Sequence, residues 1–387
     1  MKRLFLVLLT LSFCLAPVLA LGSSETAAEA DSYKIGFIGP MTGDNANYGI
    51  RISNAVKLAV DEINEKGGIN GKPVDLIIED SEGSTEKGLA SIEKLANQDK
   101  IVGLIGPVFT GVAFAVGERV QAEGIPMITP SATHKDITAI GDYVFRTVVS
   151  DGLQGEVAGS YFYNELGYRN IGVLYVKNDY SQGLYQGMSE SFKACGGTIG
   201  AVETAQLGDK DFKTQLTKLK ASGVEAIYIP NYTVEMAQIL EQAAQLGITA
   251  DFLSCDGFSD PEIYKLAPDY TDGVIYIGPA QVEQSDKYQA FYSKYKELYG
   301  EGPDSFSTNG YDAAYVMFDA LSRFDGSRAS LRDAIASTKD FEGVNGLINF
   351  KENGDLVAYQ GVYKVKGTTP EYIGAYTVTD GKLVKVE

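Results

Sequence analysis

The chain has 387 residues, with 51 Asp+Glu against 33 Lys+Arg and a formal net charge of −18. One His and three scattered Cys exclude sites that need two imidazoles or a Cys-rich zinc or iron–sulfur module, and no metal or other cofactor is expected. An acidic chain with no basic run beyond its N-terminus argues against a nucleic-acid binder or a partner of anionic lipid, and the length with 44% hydrophobic residues suits two domains.

Met1-Lys2-Arg3 precedes an apolar run over 4–21 that closes on Val18-Leu19-Ala20. A basic start, an apolar centre and small residues before a cleavage point predict a secretory signal peptide over 1–20. Pro17 and a core of roughly 12 apolar residues oppose an uncleaved membrane anchor, and Phe13 before Cys14 fits a lipidation box poorly. Residues 21–32 are small and acidic and read as a flexible leader. Cleavage removes Lys2, Arg3 and Cys14, which makes the mature chain more acidic and leaves Cys195 and Cys255 in an oxidising compartment, with their pairing open.

From residue 33, short apolar strands alternate with amphipathic helices. A strand over 34–39 (KIGFIG) leads to a helix over 48–66, whose Ile52, Ala55, Val56, Ala59, Val60 and Ile63 form one apolar stripe. Strands over 72–80, 101–106 and 126–129 follow, with helices over 85–98 and 111–123. The rhythm restarts with strands over 171–176, 201–205, 226–230 and 251–255 and helices over 181–195, 211–222 and 234–246. Glycines at 67, 124, 196 and 247 end helices in both halves. This alternation predicts parallel βαβ units covered on both faces, in two similar lobes in tandem. After a strand over 273–279 come helices over 286–298, 308–324 and 330–337, then alternating segments over 347–350, 357–365 and 372–378 that read as edge hairpins.

In open α/β sheets, ligands gather beyond the carboxyl ends of the strands. The turns there hold no GxGxxG, GxxxxGK[ST] or GxSxG, and His134 is the only possible triad His, so an enzyme is not expected. They hold hydroxyls, one acid and several aromatic rings instead. Thr110-Gly111 opens a helix and reads either as an anion holder or as a plain N-cap; Ser131-Ala132-Thr133 carries the same two readings. Asp256 either pairs with a cation or starts a turn. Tyr48, Tyr180, Tyr232 and Tyr311 lie near loop ends, as packing residues or as cleft walls. An anion holder in one lobe, an acid in the other and rings between them describe a cleft for a small zwitterion.

Several stretches carry a family likeness: IGFIGPMTGDNANYG near residue 35, AVDEINEKGGINGKPVDLI at 59–77, IGPVFTGVAFAVGERVQAEGIPMITPSAT at 105–133, VEMAQILEQAAQLGI at 234–248 and NGYDAAY at 309–315. On these the chain resembles the periplasmic solute-binding proteins of ABC transporters in the leucine/isoleucine/valine-binding group, over nearly the whole mature length. The resemblance implies an α/β fold of two Rossmann-like lobes with parallel-rich sheets, joined by a three-crossover hinge that closes over the ligand. It places lobe one at 31–150 plus 279–346 and lobe two at 151–278 plus 347–387. It implies that Thr110 and Thr133 meet an amino acid's carboxylate, and that the Ser131 carbonyl, Thr133 and Asp256 meet its ammonium. Tyr48, Tyr180, Tyr232 and Tyr311 match aromatic positions lining the cleft. The implied partners are a small α-amino acid and an inner-membrane ABC permease, for a monomer outside the cytoplasm. The acid is usually Glu in branched-chain binders, and Phe109 stands at a wall position where that group often has a smaller residue. The side-chain class of the ligand therefore stays open, with a small amide, urea or aromatic acid, or a sensing rather than transporting role, as alternatives.

Overall fold

The computed structural model describes residues 32–281 and 285–386; the expected signal peptide and all but the last residue of the expected leader lie outside them. The first sheet holds β1 (Tyr33–Gly39), β2 (Val74–Asp80), β3 (Gly103–Ile105), β4 (Met127–Thr129) and β5 (Val144–Arg146), all parallel, in the order β2-β1-β3-β4-β5. Helices α1 (Ala46–Glu65), α2 (Thr85–Lys94) and α3 (Thr110–Glu123) connect its first four strands. Its two faces bury separate cores: Ile35 and Phe37 of β1 pack with the α1 stripe, whereas Ile38 packs with residues of α2 and α3. Burial on both faces explains why these strands are nearly continuous apolar runs.

After α4 (Asp151–Asn164), a second set follows: β6 (Asn170–Val176), α5 (Asp179–Ala194), β7 (Thr198–Ala205), α6 (Lys213–Ser222), β8 (Ala226–Tyr228), α7 (Thr233–Gln245), β9 (Asp251–Ser254), α8 (Ile263–Leu266) and β10 (Ile275–Pro279). The chain then returns to the first core through α9 (Asp286–Tyr299), α10 (Ser305–Arg323), α11 (Arg328–Ala336) and the hairpin β11 (Phe341–Gly343) and β12 (Gly346–Ile348). It ends in β13 (Gln360–Lys366), β14 (Thr369–Thr379) and β15 (Lys382–Val386), an antiparallel extension of the second sheet, whose order is β15-β14-β13-β10-β9-β8-β6-β7.

The chain thus passes between the two lobes three times. Ile348, Phe350 and Leu356 belong to the first core, so the last passage falls just before β13 and not at residue 347 as expected. Helix α4 escapes the periodicity reading because it is buried on most sides, from Gln154 and Gly155 through Val157 to Phe162, and so shows no single stripe. Strands β5 and β15 are likewise absent from that reading. Cys195 and Cys255 are both free thiols.

One buried charge ties the passages to the first sheet. Arg146, at the end of β5, is 0% exposed. Its Nε donates to Asp355 Oδ1 at 2.7 Å, and Nη1 donates to the carbonyls of Thr133 and His134 at 2.9 and 2.7 Å. Its Nη2 reaches the Lys135 carbonyl at 3.4 Å and Asp355 Oδ1 at 2.5 Å. These contacts match the five N–H donors of a guanidinium. Arg146→Met, which leaves Asp355 without its cation, is expected to cost about 3–5 kcal/mol of stability, read as a lowered urea midpoint with the slope unchanged.

Candidate functional site

In the first sheet the strand order reverses between β1 and β3, and in the second between β6 and β8. The crevices beyond those strand ends are where an open α/β sheet accepts a ligand. Phe109 and Thr110 follow β3, Tyr180 follows β6 and Tyr232 follows β8, so both crevices contribute to one cleft. Gly106, at φ +102, turns the chain after β3; a Cβ there would lie 2.5 Å from the Ile38 carbonyl oxygen.

The first-lobe side is the N-terminal end of α3. The N-cap position is Phe109, which has no capping side chain, and Thr110 is the first helical residue. The plain N-cap reading of Thr110 is therefore corrected: its hydroxyl does not cap the helix, and the first-turn N–H groups stay available at the positive end of the dipole. Thr129 braces the neighbouring turn. Its hydroxyl donates to the Pro107 carbonyl at 2.7 Å and accepts from the Ala132 amide at 2.9 Å, fixing the 131–133 turn against the one that carries Phe109. Ser131 lines the cavity with Thr110, while Ala132 and Thr133 are buried at 1% exposure each and do not line it.

The second-lobe side is Asp256. Tyr180 donates to its Oδ1 at 2.7 Å, and Gln154 Nε2 donates to the same oxygen at 3.0 Å, while Gln154 Oε1 accepts from the Asp256 amide at 2.8 Å. Burial pushes the Asp256 carboxyl up, and the bonds from Tyr180 and Gln154 oppose that shift. Asp151, the first residue of α4, is also buried, and burial followed by repulsion from Asp256 pushes its carboxyl well up. With two donors on Asp256 and no well-formed hydrogen bond on either Asp151 oxygen among the described residues, Asp256 is the better stabilised carboxylate of the pair.

Rings close the remaining walls. Tyr180 stacks on Tyr232 at 5.0 Å between centroids, Tyr232 meets Phe109 at 4.6 Å, and Tyr48 meets Phe306 edge-on at 4.8 Å. Burial pushes the Tyr48, Tyr180 and Tyr232 phenols well up, so all three are neutral donors. The space between them is about 10 Å³, room for about one water, and an outer chamber of about 440 Å³ opens beyond Phe109, Tyr180 and Tyr232.

Tyr311 is not among these walls. It packs on Phe291 at 4.3 Å in the first core and its hydroxyl donates to Glu62 Oε2 at 2.6 Å. Phe306, five residues earlier on α10, reaches the cleft instead, because a helix turns about 100° per residue and the two side chains face different ways. Phe306, Gln154 and Asp151 are the site residues the sequence reading lacks. No periodicity marks the α4 pair, and Phe306 lies just ahead of the expected start of its helix.

The lobes meet across the cleft. Tyr48 donates to Thr233 Oγ1 at 2.6 Å, because the Thr233 hydroxyl is itself donating to Asp260 Oδ2 at 2.7 Å. The Thr233 amide reaches the Tyr48 oxygen at 3.3 Å, so α7, whose N-cap residue Tyr232 has no capping bond, is capped from the other lobe. Asn47 donates to Asp260 as well, and Ser259 meets Ser305 at 3.0 Å.

Two α/β lobes joined by three passages, with a ligand-sized crevice between them, define a hinge-closing binding protein. The sequence profile of the periplasmic binding protein family matches residues 32–369. The chain is 30% identical to the leucine-, isoleucine-, valine-, threonine- and alanine-binding protein of Pseudomonas aeruginosa, covering 89% of this chain and 93% of that one. It is 31% identical to the Streptococcus pneumoniae branched-chain amino acid transporter substrate-binding protein, whose structure holds isoleucine, with a TM-score of 0.82 over 92% of this chain and 100% of that one. A leucine-binding protein from Thermotoga maritima superposes with a TM-score of 0.82 at 29% identity, over 88% and 98% of the two chains. The chain belongs to the periplasmic binding protein family, in its leucine/isoleucine/valine-binding group.

Tyr48→Phe removes a hydrogen bond between the lobes without emptying the wall. A loss of about 0.5–1.5 kcal/mol from the closed arrangement is expected, seen by solution scattering as a larger mean radius of gyration with the melting temperature little changed.

Proposed function

We propose that this protein captures an α-amino acid in the cleft outside the cytoplasm and delivers it to an inner-membrane ABC permease. The observation that carries this reading is the division of polarity: an uncapped helix N-terminus with Thr110 in one lobe faces the buried Asp256 carboxyl in the other, between aromatic walls. A carboxylate suits the first end and an ammonium the second. Phe109, Tyr48 and Phe306 offer the side chain an apolar surface, so an apolar amino acid is the ligand class. Solved relatives bound to isoleucine and to leucine support that choice. The wall residues almost fill the space between them, so solute entry requires the lobes to part and the rings to spread. Ser131 joins Thr110 and Asp256 as a ligand contact in this reading, whereas Thr133, buried behind the lining, supports the turn.

Nothing in the arrangement activates a nucleophile: Cys255 sits beneath Tyr180 with its thiol pushed up by burial, and the reading is binding without chemistry or cofactor. Among the described residues no helix is long and apolar enough to cross a membrane. A monomer that meets its permease as a partner, with no nucleic acid involved, completes the proposal.

A thermal-shift screen of amino acids tests it, because a solute bound only by the folded state raises the melting temperature; no shift with any amino acid at millimolar concentration would sink the reading. Asp256→Asn is expected to lose about 2–5 kcal/mol of affinity by leaving the ammonium unpaired. The pH dependence has a definite sign. The Asp256 carboxyl is raised above its ordinary value, so acidification neutralises it earlier than an exposed carboxylate, and affinity should fall as the pH is lowered. Calorimetric titrations at successively lower pH should show the fall in the native protein and a flat profile in Asp256→Asn.

A further inference from the structure

A second cavity, of about 380 Å³, lies at the hinge. Residues of all three passages between the lobes line it: Val148 from the first, Ala280 from the second, Leu356 and Gln360 from the third. Asp256 lines this cavity and the ligand cleft alike, so the Asp256–Gln154 pair is the partition between them. The volume falls in the range of small-molecule sites, about 300–1,000 Å³.

Four observations say what it would take. Gln360 is 1% exposed, and its Nε2 has no hydrogen-bond partner, so a buried donor is left free on the cavity lining. Among the described residues the lining contains Asp256 and Asp312 and no Lys, Arg or His, which disfavours an anion. Asp312 is not free to hold a cation, since it accepts from the Val344 and Asn345 amides at 2.7 and 3.0 Å, and Asp256 is the group assigned above to the ammonium in the cleft. The rim is apolar and exposed: Leu347 at 59%, Val357 at 50% and Tyr359 at 47%. We propose that the hinge cavity is an effector site for a small neutral molecule with a compact apolar body and one carbonyl oxygen, which accepts from Gln360 Nε2.

Because the three passages bound the cavity, its shape depends on the angle between the lobes. In this structure the lobes touch, so a molecule that fits the cavity as it stands favours the closed arrangement. The site and this closing effect do not depend on which solute occupies the cleft.

Cyclohexanecarboxamide is a suitable probe, with cyclohexanecarboxylate as its charged counterpart of the same shape. Titrated into the isotope-labelled protein without any amino acid, the amide is expected to shift the Gln360 side-chain resonance and the backbone resonances of Thr147, Val148 and Val149, and to lower the radius of gyration in solution scattering. Gln360→Leu should weaken it about tenfold, and the carboxylate should bind at least that much more weakly. Val357→Trp, a change at the exposed rim that leaves the core untouched, should block entry. Absence of shifts at millimolar amide, shifts confined to Thr110 and Tyr180 in the cleft, or equal binding by Gln360→Leu and Val357→Trp would each overturn the site. An unchanged radius of gyration in the presence of bound amide would overturn its action on the hinge. Failure of the amino-acid reading would appear only in the thermal-shift screen and leaves these readouts intact.

Discussion

The Arg146 guanidinium is the contact on which the geometry of the cleft rests. A cation with no exposed surface is tolerable only when its donors are all taken, and here the acceptors come from two places and the arginine from a third. The carbonyls of residues 133–135 belong to the turn beyond β4, the carboxylate of Asp355 belongs to the segment leading to β13, and the arginine itself ends β5. Thr138 adds a further bond to Asp355 Oδ1 at 2.8 Å. One ion pair therefore holds the proposed ligand turn in place and fastens the third hinge passage to the first lobe.

The two ends of the cleft are held by different means. On the first lobe the receptor for negative charge is backbone: the first turn of α3, left uncapped by Phe109 and steadied through the Thr129 hydroxyl. Backbone donors need no ionisation, so that end keeps its polarity at any pH. On the second lobe the proposed receptor is a carboxyl that burial pushes towards neutrality, a shift that the bonds from Tyr180 and Gln154 oppose. Asp151 sharpens this balance. Two buried acids cannot both ionise cheaply, and the one with two donors is the better stabilised carboxylate.

Much of this was legible in the sequence, and the reasons are local. The α1 stripe from Ile52 to Val60 is buried as its spacing demands, and the alternation of strand and helix sets the parallel order of both sheets. Thr110, Ser131 and Asp256 follow strands, and the rule that ligands gather beyond strand ends is enough to single them out. What lay beyond reach depends on long-range packing. Helix α4 has no polar face because the second sheet and α5 bury it, so Asp151 and Gln154 lacked any pattern to announce them. Tyr311 and Phe306 share one helix, and only its tilt against α1 decides which of them reaches the cleft. The hairpin of β11 and β12 and the residues up to Leu356 stay with the first core because Val344, Ile348 and Phe350 pack there, a fact that alternation alone does not encode.

The contacts that close the cleft are few. They include the Tyr48–Thr233 and Ser259–Ser305 hydroxyl pairs, the Thr233 amide on Tyr48, the Asn47–Asp260 bond, the rings of Phe109 and Tyr48 against Tyr232, and the exposed ion pairs of Lys210 with Asp44 and Lys265 with Glu301. Exposed ion pairs add little, and the hydrogen bonds contribute about 1 kcal/mol each. Closure is then favoured by only a few kcal/mol, against which the hinge and the hydration of the opened surfaces must be set. A solute that touched one lobe alone would bind open and closed forms equally and move nothing, since only differential affinity shifts a population. In the proposed reading, dividing the polar ends of the cleft between the lobes lets a zwitterion engage both of them only in the closed form. In such a design the separation of Thr110 from Asp256 by the hinge does more than recognise the solute, because it makes recognition and closure the same event.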